Sequence, residues 1–217
     1  MSKPVLTYWD GRGRMELIRM MFAAAEVEYD EAPYLTTKKQ VEDMRSAGLL
    51  MFNQFPLVQW DGKNMVQTMS IVRYIAHKYN MCGSTPDEAY KIGCICEGVL
   101  DAIGPFRGRT FFPEEKYVEN CTKTVDRYCP IFEKLLSESG GSDYLVGKKM
   151  SVADVMLLEM LLCVEEENFL SLDKFPKLQA FLSHVKGQKG LKEYLGSSKR
   201  KPPNNVEYVT TVKKCLG

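Results

Sequence analysis

The sequence has two histidines, no long apolar run and almost no net charge. Each shortage removes a class of function. With only His77 and His184, and no Gly-x-Ser-x-Gly elbow, a nucleophilic triad is hard to assemble. Both histidines sit among helical residues and read as surface or packing groups. No Cys-x-x-Cys occurs, and Cys94 and Cys96 lie two apart on a helical stretch, on nearly opposite faces. No metal is therefore expected. Lys and Arg number 29 against 28 Asp and Glu, a formal charge of +1, which offers no strong field to nucleic acid or anionic membrane. The apolar stretches Met20–Ala25 and Val155–Val164 are short or broken by Glu159, so no integral membrane segment is expected. The start, Met1 to Tyr8, lacks the apolar core of a signal peptide. These absences point to a cytoplasmic protein, where the odd count of seven cysteines fits free thiols.

What is present suits a packed globule. Hydrophobic residues make up 45% and charged residues 26% of 217 positions, enough for one large domain or two modest ones. The first eighty residues alternate strand and helix signals. Pro4–Trp9 reads as a strand ending at Asp10-Gly11-Arg12-Gly13, followed by a helix over 14–26 with Ile18, Met21, Phe22 and Ala25 on one face. Val27–Tyr34 reads as a second strand, and Thr36 or Thr37 as the cap of a helix over 38–47. Leu57–Trp60 and Met65–Thr68 flank an Asp61-Gly62 hairpin turn, with a helix after Ser70. The domain boundaries read as 1–80, a linker over 81–86, and an all-helical 87–217. Helices are expected over 87–103, 114–137, 152–167 and 177–186, with short pieces near Leu191 and Val209. Ser151-Val152-Ala153-Asp154 has the form of a capping box that opens a buried helix.

Three places could carry chemistry. Tyr8 ends the first strand at a tight glycine turn, beside Arg14 and a helix N-terminus, where a tyrosine hydroxyl can stabilise a thiolate. Strand tyrosines also serve as packing. Phe55-Pro56 marks a bend, with a cis bond one option, that frees the backbone of Phe55 to pair with a peptide-like ligand. Gln67-Thr68 opens the next helix, where a hydroxyl and N–H groups suit a carboxylate. Each also reads as an ordinary turn or cap.

In order along the chain, Tyr8-Trp9-Asp10-Gly11-Arg12-Gly13-Arg14-Met15-Glu16, Asn53-Gln54-Phe55-Pro56-Leu57-Val58 and Val66-Gln67-Thr68 resemble the N-terminal domain of cytosolic glutathione transferases, most nearly the alpha class. The likeness runs on through Tyr74-Ile75-Ala76, Tyr144-Leu145-Val146-Gly147 and Ser151-Val152-Ala153-Asp154 to Arg200-Lys201-Pro202-Pro203. It implies an α/β thioredoxin-like N-terminal domain followed by an all-α C-terminal domain that carries the hydrophobic substrate site, paired as a homodimer. By that resemblance reduced glutathione is the co-substrate, Tyr8 donates to its sulfur, and Arg14 supports the thiolate. Arg45, Gln54, Phe55, Pro56, Gln67 and Thr68 hold the tripeptide, while Asp101 and Arg127 reach the neighbouring subunit's glutathione. Met51 and Phe52 match the key inserted into the partner subunit.

The electrophile side is implied at Trp9, Gly11, Phe111, Tyr208, Val209, Val212 and Leu216, with the last three as the inward stripe of a closing helix. Gly11 and Tyr208 look like the alkenal-preferring subtype, in which a tyrosine hydroxyl polarises the aldehyde. Departures are present: Gly104 to Thr110 replaces an apolar run, and its Arg107 and Arg109 are expected to face solvent. Lys199-Arg200-Lys201 reads as a solvated loop. Rival readings are a ligandin- or crystallin-like binding protein, a glutathione-dependent isomerase, and a cysteine-dependent thiol transferase. Retention of Tyr8, Arg14, Gln67, Thr68 and Asp101 argues against the first. The alpha-like second half argues against the second, and the lack of a strand-end cysteine against the third.

Overall fold

A computed structural model describes residues 2–217. The chain forms two compact units: Met1–Ile75 together with Glu193–Gly217, and Ala76–Lys192. The closing segment, which the sequence reading attached to the helical half, thus packs with the first unit.

The first unit opens β1 (Val5–Thr7), α1 (Glu16–Ala24), β2 (Asp30–Glu31), α2 (Lys38–Ser46), β3 (Leu57–Trp60), β4 (Lys63–Val66) and α3 (Thr68–Lys78). The sheet order is β2-β1-β3-β4. β1 and β2 are parallel, Val5 opposite Asp30, as a helical crossover requires. β3 runs antiparallel to both β1 and β4. Asp61 and Gly62, both at positive φ, make the hairpin turn whose twist matches its strands.

Two sequence expectations change here. The second strand shrinks to two residues, Asp30 and Glu31, at the edge of the sheet. The extended chain still follows β1: Ala32 N–H donates to Leu6 O at 2.9 Å and Leu35 N–H to Tyr8 O at 3.1 Å. And α1 has no single apolar face, since Glu16 through Phe22 are all buried, Glu16 and Arg19 included. Thr37 caps α2 as half of a capping box with Gln40.

The second unit is helical: α4 (Pro86–Ile103), a 3-10 turn (Pro105–Gly108), α5 (Glu114–Ser137), α6 (Val152–Glu165) and α7 (Pro176–Lys186). α6 is buried almost all round. Its start rests on Asp154, which accepts from Ser151 N–H and O–H, each at 2.7 Å, and from Leu145 N–H at 2.8 Å. Burial pushes the Asp154 carboxyl above its ordinary range, against the pull of those hydrogen bonds. Cys94 is exposed and Cys96 buried, on opposite faces of α4. His184 packs edge-on against Tyr144.

Arg107 and Arg109 do not simply face solvent. Arg109 Nη1 donates to both oxygens of Glu167, at 2.7 and 2.6 Å, and Tyr117 Oη donates to the same carboxylate at 2.5 Å. Arg107 pairs with the buried Glu159 at 3.5 Å. A carboxylate buried beside α5 or within α6 must find a cation, and the arginines of this departure supply it.

Helix α8 (Lys189–Leu195) leads into the closing segment, which ends in α9 (Val206–Leu216). Asn205 caps α9 by accepting from Tyr208 N–H at 2.8 Å. Among the described residues no helix is long and apolar enough to cross a membrane.

Candidate functional site

The site is built on the turn between β1 and α1. Its backbone closes through Gly11 N–H to Trp9 O at 2.9 Å and Glu16 N–H to Arg12 O at 3.0 Å. Gly13 has φ +43°, and a Cβ there would lie 2.2 Å from Tyr208 Oη and 2.5 Å from Tyr8 Oη. Only glycine lets the backbone pass that close. A Cβ on Gly11 would meet the Tyr208 ring at 2.3 Å.

Tyr8 Oη accepts the Arg14 main-chain N–H at 3.0 Å and lies 3.5 Å from Tyr208 Oη, which donates to it. A phenol has one proton to give and lone pairs to receive. With its lone pairs engaged, the Tyr8 proton is the one group left to point at a ligand. Burial, then the neighbouring Tyr8, raises the Tyr208 hydroxyl well above the ordinary tyrosine range, which keeps Tyr208 a neutral donor at physiological pH. The Arg14 side chain is exposed, so in this structure it is the backbone of Arg14, not its guanidinium, that holds Tyr8.

Around this centre, Trp9 stands edge-on to Tyr8 at 5.1 Å and to Phe55 at 5.2 Å. It is 3% exposed, so it supports the site from beneath and does not line an open surface. The Phe55–Pro56 bond is cis. Arg45 Nε donates to Asn53 O at 3.1 Å, bracing the loop that carries Gln54 and Phe55. Gln67 has φ +68°, and Thr68 Oγ1 donates to Arg14 O at 3.2 Å, tying the start of α3 to the Tyr8 turn. All these residues belong to the first unit.

Asp101 and Arg127 stand exposed on α4 and α5 of the second unit, and Phe111 is exposed in the loop before α5. Met51 and Phe52 are exposed at the tip following α2, 78% and 57%. On α9, Val209 and Val212 are half-buried, but Leu216 is 41% exposed. The inward residue at that end is Cys215, three after Val212, where Leu216 is four after it.

The sequence reading missed the ionic frame behind the turn. Arg19 is fully buried; it donates to Gly11 O at 2.8 Å and to both oxygens of Glu31, at 2.6 and 3.1 Å. Burial draws its guanidinium down, but the Glu31 bond and charge outweigh that and hold it above its ordinary value. Glu16 accepts from Tyr194 Oη at 2.9 Å and from Arg200 Nη1 at 2.7 Å. The available signal was two charges three apart, Glu16 and Arg19, inside the otherwise apolar run from Met15 to Phe22.

The family model for the glutathione S-transferase N-terminal domain matches residues 4–77, and that for its C-terminal domain matches residues 103–198. The chain is 42% identical to "Glutathione S-transferase 3" of Gallus gallus, over 99% of this chain and 95% of that one. It is 41% identical to "Glutathione S-transferase A4" of Mus musculus, over 99% and 98%. Among solved structures it resembles monomeric Na-GST-3, a glutathione S-transferase of the hookworm Necator americanus, with TM-score 0.78, 26% identity and coverage of 94% and 100%. The thioredoxin-like sheet, the helical second unit and these full-length likenesses agree: the chain belongs to the glutathione S-transferase family, alpha class.

Proposed function

We propose that this chain conjugates reduced glutathione to hydrophobic electrophiles, with Tyr8 donating its hydroxyl proton to the glutathione sulfur. One observation carries the assignment: Tyr8 Oη is held from behind by Arg14 N–H at 3.0 Å, which leaves its own O–H free. A thiol with a pKa of about 8.5 is only about 3% ionised at pH 7, and lowering it by about two units makes roughly three quarters thiolate. The differential stabilisation needed is about 2.7 kcal/mol. A charge-assisted hydrogen bond at a helix N-terminus is of that size.

On this reading Arg45, Gln54, the Phe55 main chain, Pro56, Gln67 and Thr68 hold the tripeptide. Asp101 and Arg127 act on the glutathione of a partner subunit, with Met51 and Phe52 as the key between two copies. Gly11, Tyr208, Val209 and Val212 face the electrophile, and Tyr208 polarises a carbonyl such as that of a hydroxyalkenal. The high Tyr208 pKa supports a donor role. The exposed Met51 and Phe52 support a partner, since large apolar side chains presented together to water mark an interface. The absence of a spanning helix among the described residues is consistent with work in the cytoplasm.

The test is a panel with glutathione against an aryl halide, a hydroxyalkenal and an organic hydroperoxide, with Tyr8→Phe and Tyr208→Phe in parallel. Conjugation lost in Tyr8→Phe, and alkenal turnover selectively lost in Tyr208→Phe, is expected. Tight ligand binding without conjugation of any substrate would favour a carrier, and full alkenal turnover by Tyr208→Phe would remove its carbonyl role.

A further inference from the structure

The run Lys199-Arg200-Lys201 is not a solvated loop. Lys199 Nζ lies over the Tyr29 ring at 5.2 Å. Arg200, with a side chain only 11% exposed, reaches Glu16, which is 1% exposed. Lys201 Nζ pairs with Asp10 at 2.9 Å and covers the Tyr34 ring at 4.6 Å. The backbone joins in: Lys201 O accepts from Arg12 Nε at 2.6 Å, and Asn204 Oδ1 accepts from Gly13 N–H at 3.2 Å. Asp10, Arg12 and Gly13 are the glycine turn itself. One residue after Asn204 comes the α9 cap, and three after that comes Tyr208.

We propose that residues 194–205 act as a strap, with buried Glu16 as its hub, that sets where Tyr208 stands over Tyr8. Tyr194 and Arg200 are then positioning residues for the hydroxyl that meets the electrophile. This rests on the reading of Tyr208 given above. The physical case is one of tolerance. The Tyr208–Tyr8 distance, 3.5 Å, is at the outer limit of a hydrogen bond, so a small shift of α9 abolishes it. A misplacement of about 1 Å at a reacting group can cost about a hundredfold in rate. The strap is held where such shifts are resisted: removing one partner of a buried carboxylate leaves the other charge uncompensated. The opposing picture is that α9 is held by its own packing, through Cys215 and against α2, with the strap only passing by.

Hydrogen–deuterium exchange of residues 206–216 in the whole chain separates the two, with or without turnover. In Arg200→Met, α9 amides are expected to exchange about tenfold faster while β3 and β4 keep their rates. Arg200→Lys should recover most of the protection. Asn204→Ala, which removes only the Gly13 acceptor, should show the same pattern more weakly and decides the matter if Arg200→Met does not fold. In kinetics, Arg200→Met should lower alkenal kcat/KM by about tenfold, leave the glutathione KM within about twofold, and cost nothing further when combined with Tyr208→Phe. Unchanged α9 exchange in both Arg200→Met and Asn204→Ala would overturn the strap. So would losses that add in the double variant. If the wild-type conjugates nothing, the proposed function fails while the exchange result still decides the strap.

Discussion

Helices α1 and α6 are both buried nearly all round, yet they carry buried charge to different ends. In α6 the carboxylate of Asp154 turns back on its own start, closing onto Ser151 and Leu145. In α1 the charges of Glu16 and Arg19 reach outward, to Glu31, Gly11, Tyr194 and Arg200. The first pattern satisfies a helix end and is complete within ten residues of chain. The second ties together segments nearly two hundred residues apart and frames the turn that carries Tyr8. A buried charge that serves only local structure is thus told apart by the sequence distance of its partners.

Removing the local charge should give the largest loss of stability. Asp154→Ala leaves Ser151 and Leu145 N–H without acceptors and should cost about 3 kcal/mol, read as a fall in urea midpoint at unchanged slope. A loss under about 1 kcal/mol would mean that water replaces the carboxylate. The burial-raised Asp154 pKa has its own sign. A folded-state pKa above the unfolded one favours the native state below the ordinary carboxylate pKa, and that contribution fades as pH rises through the folded value. Asp154→Asn should therefore flatten the pH dependence of stability on the acid side and slightly above it.

Gly13→Ala tests the outward-reaching frame. Its φ of +43° and the clash with both hydroxyls should cost about 1–3 kcal/mol and lower conjugation by at least about tenfold, since Tyr8 and Tyr208 must both move. Retained activity would show that the close approach at the turn is dispensable. Asn205→Ala removes the α9 cap and should cost about 1 kcal/mol, seen as faster exchange at the start of α9 with α6 unaffected. The smallest effect is expected at the surface. Glu119, exposed between Lys116 and Lys123, has a carboxyl lowered to about 2, chiefly by the Lys123 hydrogen bond. Its contribution is present above the ordinary Glu pKa and is lost as pH falls towards 2. At physiological salt Glu119→Gln should leave the melting temperature nearly unchanged.

Local grammar makes much of the fold legible in the sequence. β3 and α5 begin and end where pattern and turn residues placed them, and the Asp61-Gly62 turn and the Ser151–Asp154 box are as read. The second strand is shorter than its sequence suggests, two ladder residues at the sheet edge. Cys215 and Leu216 are the i+3 and i+4 neighbours of Val212, and helical spacing alone does not choose which of the two is buried. The site was legible as a set of motifs, but its working geometry was not. Tyr8 is positioned by Arg14 N–H and by Tyr208, which no local pattern pairs with residue 8. Likewise Arg107, Arg109 and Arg200 look solvated in sequence because their carboxylate partners, Glu159, Glu167 and Glu16, lie far along the chain.

The central claim is that the Tyr8 hydroxyl stabilises a thiolate on bound glutathione. The direct measurement is the ultraviolet thiolate absorbance of the glutathione complex, titrated from about pH 5 to 10, in the wild-type chain and in Tyr8→Phe. The account predicts a thiol pKa near 6.5 in the wild-type and a return towards about 8.5 in Tyr8→Phe, so that thiolate at pH 7 falls from about three quarters to a few per cent. The same low pKa in both proteins would contradict it.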